Sequence, residues 1–185
     1  MNTRNLRRWI PLTALVWGLG VGDAAAVVYY AKDEAFELAF GAGAVIEPRP
    51  LFLTDEQVAA IEAKAKVKIE SQLFTFYEGQ RGGEVLGYAA LESHNVRTQA
   101  ETLMLVLSPR GELTKAVMLA FHEPPEYKPP DRWYDGLVGK PAQELVLNQG
   151  VDGVSGATLS VRAALDSVRK VLTLYQISPP AGGNQ

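Results

Sequence analysis

The residue types best suited to chemistry form one short stretch near the end of the chain, Asp152-Gly153-Val154-Ser155-Gly156-Ala157-Thr158. One glycine lies on each side of Ser155, and a threonine hydroxyl follows at the start of a periodic apolar segment. Backbone amides at the positive end of a helix dipole attract phosphate, and a threonine hydroxyl can itself carry a phosphate ester. The alternative is that Ser155 caps the helix and the glycines only shape a turn.

The segment that follows this motif predicts the element that positions it. Apolar residues recur at intervals of three and four after Thr158, at Val161, Ala164, Leu165, Val168, Val171, Leu172 and Tyr175. This spacing indicates one face of an amphipathic helix that runs to about Tyr175. The polar tail at 179–185 contains glycine and proline, and we expect it to be disordered.

The middle of the chain has the pattern of β-strands. Residues 72–77 and 84–91 flank a glycine-rich turn at 79–83, which predicts a hairpin. A second hairpin is predicted from the apolar run 101–107 and the alternating residues of 113–121. With helices before and after these strands, the expected fold is α+β: an antiparallel sheet of two hairpins with flanking helices.

Two short helices are predicted before the sheet. Residues 33–40 form an apolar-faced segment that ends at Gly41. Thr54, with Gln57 three residues later, makes a capping box for a second helix. Pro48-Arg49-Pro50 lies between the two helices and is predicted to be a linker.

A stiff polar loop is predicted after the last strand. Residues 122–130 contain four prolines together with His122, Glu123 and Tyr127. Because prolines exclude this segment from a sheet and fix its backbone, its polar side chains have set positions, as in many binding loops. The alternative is a rigid crossover whose polar side chains face water. His94 is left as an unassigned surface or loop residue.

The start of the chain has the layout of a secretory signal peptide. Arg4, Arg7 and Arg8 form a basic region, residues 9–21 are mostly apolar, and Ala24-Ala25-Ala26 offers small residues for cleavage. An uncleaved membrane anchor is the alternative. The expected organisation is therefore a signal peptide or anchor (1–26), an N-terminal helical segment (27–70), a ligand-binding domain (71–178) and the tail.

Composition narrows the function classes. The 185 residues carry a net charge of −3, which becomes −5 without residues 1–26, and no basic stripe is present, so nucleic acid is not an expected partner. The chain has no cysteine, which excludes disulfides, thiolate-bound iron–sulfur clusters and c-type haem attachment. With two histidines, a His-rich metal site is not expected. Redox chemistry would therefore need another bound cofactor.

The motif Asp152-Gly153-Val154-Ser155-Gly156-Ala157-Thr158 resembles the D-x-x-[ST]-G-A-T pattern of the FMN-binding domain family. Members of that family include the C subunit of the sodium-pumping NADH:quinone reductase and the G subunit of the Rnf complex. The resemblance covers about 83–175 and includes the two hairpins, the polar loop and Trp133. The H-x-E-T-P-G segment of several respiratory members aligns here only at His122.

The resemblance implies a cofactor and its attachment site. In the family, a flavin transferase outside the cytoplasm joins FMN through its phosphate to the last threonine of the motif, which is Thr158 here. The implied cofactor-binding residues are Thr158, Ser155, Gly156, Ala157, Gly153, Asp152, His122, Glu123 and Tyr127.

The residue types suit these roles. Gly153 and Gly156 would allow close backbone approach, and Ala157 would leave room for the phosphate. Asp152 is suggested as a recognition residue for a metal or for the transferase. Aromatic side chains suit a planar cofactor, so the candidates to cover the flavin ring are Tyr127, Trp133 and Tyr134, with core packing as the alternative for Trp133.

The expected protein is an exported flavoprotein, periplasmic or otherwise extracytoplasmic, or anchored to the inner membrane if the N-terminal segment is not cleaved. The sequence contains no evident catalytic acid, base or substrate pocket. We therefore expect electron transfer between redox partner proteins, some of them membrane-bound, rather than turnover of a substrate. The flavin transferase is the expected partner for maturation. Two alternatives remain: a flavin-carrying module of an exported reductase, and a non-redox extracytoplasmic binding module.

Overall fold

The structure is a computed structural model that describes residues 27–180 of the chain. The expected signal peptide or anchor, and tail residues 181–185, lie outside the described residues. Within 27–180, no helix has the length and apolar character needed to cross a membrane.

A six-stranded antiparallel sheet forms the centre of the fold. Its central strands make the two predicted hairpins, so the predicted α+β fold is confirmed, and two further strands extend the sheet at its edges. In chain order, the strands are β1 (Val27–Val28), β2 (Val45–Phe52), β3 (Leu73–Arg81), β4 (Glu84–Asn95), β5 (Ala100–Leu107) and β6 (Leu113–Phe121). Across the sheet the order is β1-β6-β5-β4-β3-β2.

Within residues 27–180, four α-helices surround the sheet: α1 (Lys32–Phe40), α2 (Asp55–Ala65), α3 (Asp131–Asp135) and α4 (Thr158–Ile177). The capping box of α2 forms as predicted. The Thr54 hydroxyl accepts from the amide of Gln57 at 3.2 Å, and the Gln57 side chain accepts from the amide of Thr54 at 2.9 Å. Helix α4 extends two residues beyond the predicted end.

The main core lies between one face of the sheet and the helices α2 and α4. The apolar stripe of α4 is buried there as its spacing predicts, beside Ile61 of α2 and Phe76 of β3. Each fully buried large aliphatic or aromatic side chain contributes about 2 kcal/mol to stability. Helix α1 covers part of the other face with Phe36 and Phe40. The sheet and α4 thus form a rigid base for the motif.

The prediction that Pro48-Arg49-Pro50 is a linker was wrong, because these residues lie in the middle of β2. Strand β2 pairs with β3 only and is therefore an edge strand. The two prolines are two residues apart, so the positions where they lack an amide hydrogen face the same side of the strand. An edge strand tolerates prolines when that side is the unpaired one.

The predicted turn of the first hairpin, 79–83, was too long. Strand β3 continues to Arg81, and only Gly82-Gly83 makes the turn. Both glycines have positive φ values, 59° and 84°. A two-residue turn of this kind matches the twist of the strands that it joins.

Candidate functional site

The structure places Thr158 at the first residue of α4, with an exposed side chain. Ala157 precedes the helix and is buried, and no side chain caps this end. The alternative in which Ser155 caps the helix is therefore wrong. The first turn of α4 also contains no acidic residue. Its amides keep their capacity to bind an anion beside the Thr158 hydroxyl.

The turn before α4 contains two glycines, Gly153 and Gly156, and its backbone requires glycine at only one of them. Gly156 has φ = 85°, and a Cβ atom there would lie 3.5 Å from the carbonyl oxygen of Glu126. Gly153 has no such strain, and a Cβ atom on it would make ordinary contacts of 3.5 Å with Leu147 and 3.6 Å with Asn148. The contact at Gly156 is ordinary as well, so its positive φ is what favours glycine there, at the point where the motif contacts the polar loop.

A second contact ties the motif to α3. The indole Nε1 of Trp133 donates to the carbonyl oxygen of Asp152 at 2.9 Å, and the Asp152 side chain is exposed, as is that of Ser155. The Trp133 ring packs edge-on against Tyr134 at 5.1 Å between centroids. Tyr134 is only 2% exposed, so it belongs to the core and has no free ring face to cover a flavin.

In the polar loop, His122 and Glu123 bind the neighbouring backbone. His122 Nδ1 donates to the carbonyl oxygen of Ala100 at 2.9 Å. The buried carboxylate of Glu123 accepts from the amides of residues 97–99 at 3.2, 2.7 and 2.9 Å. These bonds, that from Thr98 above all, lower the pKa of Glu123 against the opposing effect of burial. Glu123 therefore organises the β4–β5 turn as an anion.

Tyr127 belongs to this loop and lies in the short turn that contacts α4. The guanidinium carbon of Arg97 lies 4.6 Å from the centroid of its half-buried ring, which is a cation–π contact. The short 3₁₀ turn Pro125–Tyr127 contacts α4, and Glu126 within it adjoins Gly156. The fold thus places the Pro125–Tyr127 turn of the polar loop beside the motif.

Residues 99–173 match the sequence profile of the FMN-binding domain. The matched region begins just before β5, includes the polar loop and Thr158, and ends within α4. The chain contains an FMN-binding domain. Its cofactor is FMN, and the match supports a flavin-carrying electron-transfer module.

Solved structures include a similar chain, NqrC of Shewanella oneidensis. It has a TM-score of 0.49 and 15% sequence identity, and the alignment covers 81% of this chain and 85% of that one. No curated protein sequence matches the chain significantly.

The start of α4 in the FMN-binding domain fits the phosphate of the cofactor. It offers an exposed hydroxyl, uncapped amides and a turn without a neighbouring carboxylate on the helix itself. Thr158 and the adjoining backbone of Gly156 and Ala157 would hold the phosphate. The half-buried aromatic side chains of Tyr127 and Trp133 belong to the two elements that contact the motif. Among residues 27–180, no group of three or more His, Cys, Asp or Glu side chains could hold a metal ion.

The prediction that His94 lies in a surface or loop position was wrong. His94 belongs to β4, where Nε2 lies 2.7 Å from Glu101 Oε1 and Nδ1 lies 3.3 Å from the hydroxyl of Ser167. Glu101 is fully buried, and its other oxygen has no partner within the described residues. Burial of Tyr134 raises the pKa of its own hydroxyl, and the nearby charge of Glu101 adds to that rise.

A cavity of about 660 Å³ lies beside this polar cluster, between α4, β4 and the segment after α2. The buried Glu92 in its wall forms an ion pair with Lys170. Burial raises the pKa of Glu92, and Lys170 opposes that rise. No residue of the motif lines the cavity, so the cavity is separate from Thr158.

Proposed function

We propose that the protein is an exported flavoprotein in which FMN is joined by a phosphoester to Thr158 and carries electrons between partner proteins. The observation that carries this proposal is the position of Thr158. Its hydroxyl is exposed at an uncapped, acid-free helix start inside an FMN-binding domain. Only a hydroxyl can form the ester, and no other residue of the motif combines a hydroxyl with the first position of the helix.

Attachment is a phosphoryl transfer that needs an activated donor. The Thr158 oxygen forms a bond to the phosphorus of FMN within a pyrophosphate ester, and the pyrophosphate P–O bond breaks to release a nucleoside monophosphate. The hydroxyl proton passes to a base of the transferase. The chain's own contribution is to present the hydroxyl and to place helix amides beside the phosphate oxygens.

Bound FMN supplies one- and two-electron transfer, while the protein sets its position and electrostatic surroundings. The attachment point lies on the surface rather than in an enclosed pocket, which favours contact with other proteins over turnover of a small substrate. Such redox encounters are small and transient. The layout of residues 1–26 supports export to the periplasm or another extracytoplasmic space, with cleavage near Ala26 or retention as an inner-membrane anchor.

Intact mass of protein produced with a flavin transferase tests the attachment. We expect the wild type to gain the mass of one FMN less one water, and to stay fluorescent after denaturation. Thr158→Ala should abolish both signals without a change in melting temperature, because the side chain is exposed. The matched control is Thr114→Ala, which removes an exposed threonine hydroxyl from β6, outside the motif, and should keep the added mass. Covalent flavin in Thr158→Ala would overturn the assignment.

The same measurement tests export. Protein recovered from the extracytoplasmic fraction should have the mass of a chain cleaved near Ala26, or the full mass if the segment remains as an anchor. Recovery of the full-length chain from the cytoplasm alone would contradict the proposed location.

A further inference from the structure

Arg162 lies one turn after Thr158 on α4 and has an exposed side chain. Within residues 27–180, its guanidinium takes part in no ion pair and no hydrogen bond. Arg169 on the same helix differs sharply. It donates to the carbonyl oxygens of Ala65 at 2.9 Å and Leu145 at 2.8 Å, and it pairs with Asp166. Arg169 is therefore a structural arginine, whereas Arg162 is free to bind a ligand.

Helix geometry directs Arg162 towards Thr158. Side chains on an α-helix tilt towards its N-terminus, so a residue covers the surface beside the residue four positions before it. For Arg162 that residue is Thr158. A negative group four residues before a positive one is also the favourable order along the helix dipole.

No acidic side chain of α4 competes for Arg162. The first turn has no acidic residue, and the position three residues before Arg162 is Leu159. The acid four residues after it, Asp166, is already bound to Arg169. A phosphodiester at Thr158 would keep one negative charge, four residues before Arg162 on the same helix.

We propose that Arg162 is a positioning residue that pairs with the phosphodiester linking Thr158 to FMN and draws the phosphate of the incoming donor to the hydroxyl. This inference rests on the proposed function, and it adds a role for a residue outside the motif. The pair is exposed to solvent, so its effect is modest and sensitive to salt.

The initial rate of FMN incorporation, followed by intact mass with purified transferase, tests the proposal. Arg162→Gln should slow incorporation about threefold at low ionic strength, and the difference from wild type should shrink as salt rises. Arg162→Lys keeps the charge and should restore most of the rate, although it loses the planar fork of the guanidinium. The matched control is Arg110→Gln, which removes the same charge from the exposed β5–β6 turn.

The ³¹P resonance of the attached phosphodiester gives a readout that a change in overall stability would not move. It should shift in Arg162→Gln and stay at the wild-type position in Arg110→Gln. An unchanged rate, salt dependence and resonance in Arg162→Gln would overturn the proposal, as would equal slowing in Arg110→Gln. Loss of attachment in Thr158→Ala together with wild-type behaviour of Arg162→Gln would sink this inference and leave the proposed function standing.

Discussion

The hydroxyl of Thr158 owes its position to the residues on either side of it. Gly156 turns the chain with a positive φ, Ala157 is buried, and the helix begins immediately afterwards. The hydroxyl is thereby fixed at the protein surface while its backbone is anchored in the core. A freely moving threonine in a loop would present the same chemistry without the neighbouring helix amides.

Gly156→Ala tests this arrangement. A Cβ atom in the left-handed region costs about 1–2 kcal/mol, so we expect a lower free energy of unfolding and slower FMN attachment. Gly153→Ala is the control, since its backbone is unstrained and its contacts are ordinary. Urea unfolding and the rate of mass gain measure both effects. Equal behaviour of the two variants would show that the conformation of Gly156 is not needed.

Glu123 predicts a pH dependence of stability. Its folded pKa is lowered from the ordinary value of 4.5, so its stabilising effect is complete above that pH and is lost as the pH falls through the folded pKa. Glu123→Gln keeps an acceptor oxygen but removes the charge, and it should cost about 1 kcal/mol at pH 7. The difference between the two proteins should shrink as the pH falls through the folded pKa. A difference that is constant with pH would contradict this role.

At the scale of the elements, the β4–β5 hairpin holds the pair His94–Glu101 against α4. These residues are direct cross-strand partners, and both face the helix. Removing His94 would leave the fully buried carboxylate of Glu101 without its partner. Such uncompensated groups are costly, because the interior cannot replace water around a charge.

His94→Ala should therefore lower the free energy of unfolding by about 3 kcal/mol. The double variant with Glu101→Ala should cost clearly less than the sum of the two single changes, since it removes both members of the pair. Chemical denaturation of all four proteins gives the coupling. Additive effects would show that the two side chains are energetically independent.

At the scale of the whole molecule, the sequence predicted those elements that are marked by short local patterns of residues. The capping box of Thr54 and Gln57 marked the start of α2, and the apolar spacing after Thr158 marked α4. Strand β2 was missed because Pro48 and Pro50 are compatible with a strand only at a sheet edge, which is a property of the assembled sheet. The pairing of His94 with Glu101 needed the strand register, which the sequence leaves open.

The features of the site likewise divide into those that the sequence could predict and those that depend on the assembled fold. The motif was identified from the sequence and the family resemblance. The role of Glu123 in the β4–β5 turn could not be predicted from the sequence. Three amides converge on its carboxylate only after β4, β5 and β6 have paired. The burial of Tyr134 likewise depends on how α3 packs against β6.

The prolines of β2 also have a consequence for the behaviour of the protein in a crowded compartment. An unpaired strand edge is a template for another chain, and proline and charged side chains are common means of blocking such growth. Here Pro48 and Pro50 alternate with Glu47 and Arg49 along the edge. This edge therefore resists intermolecular strand addition, so that β2 is protected against aggregation through its unpaired side.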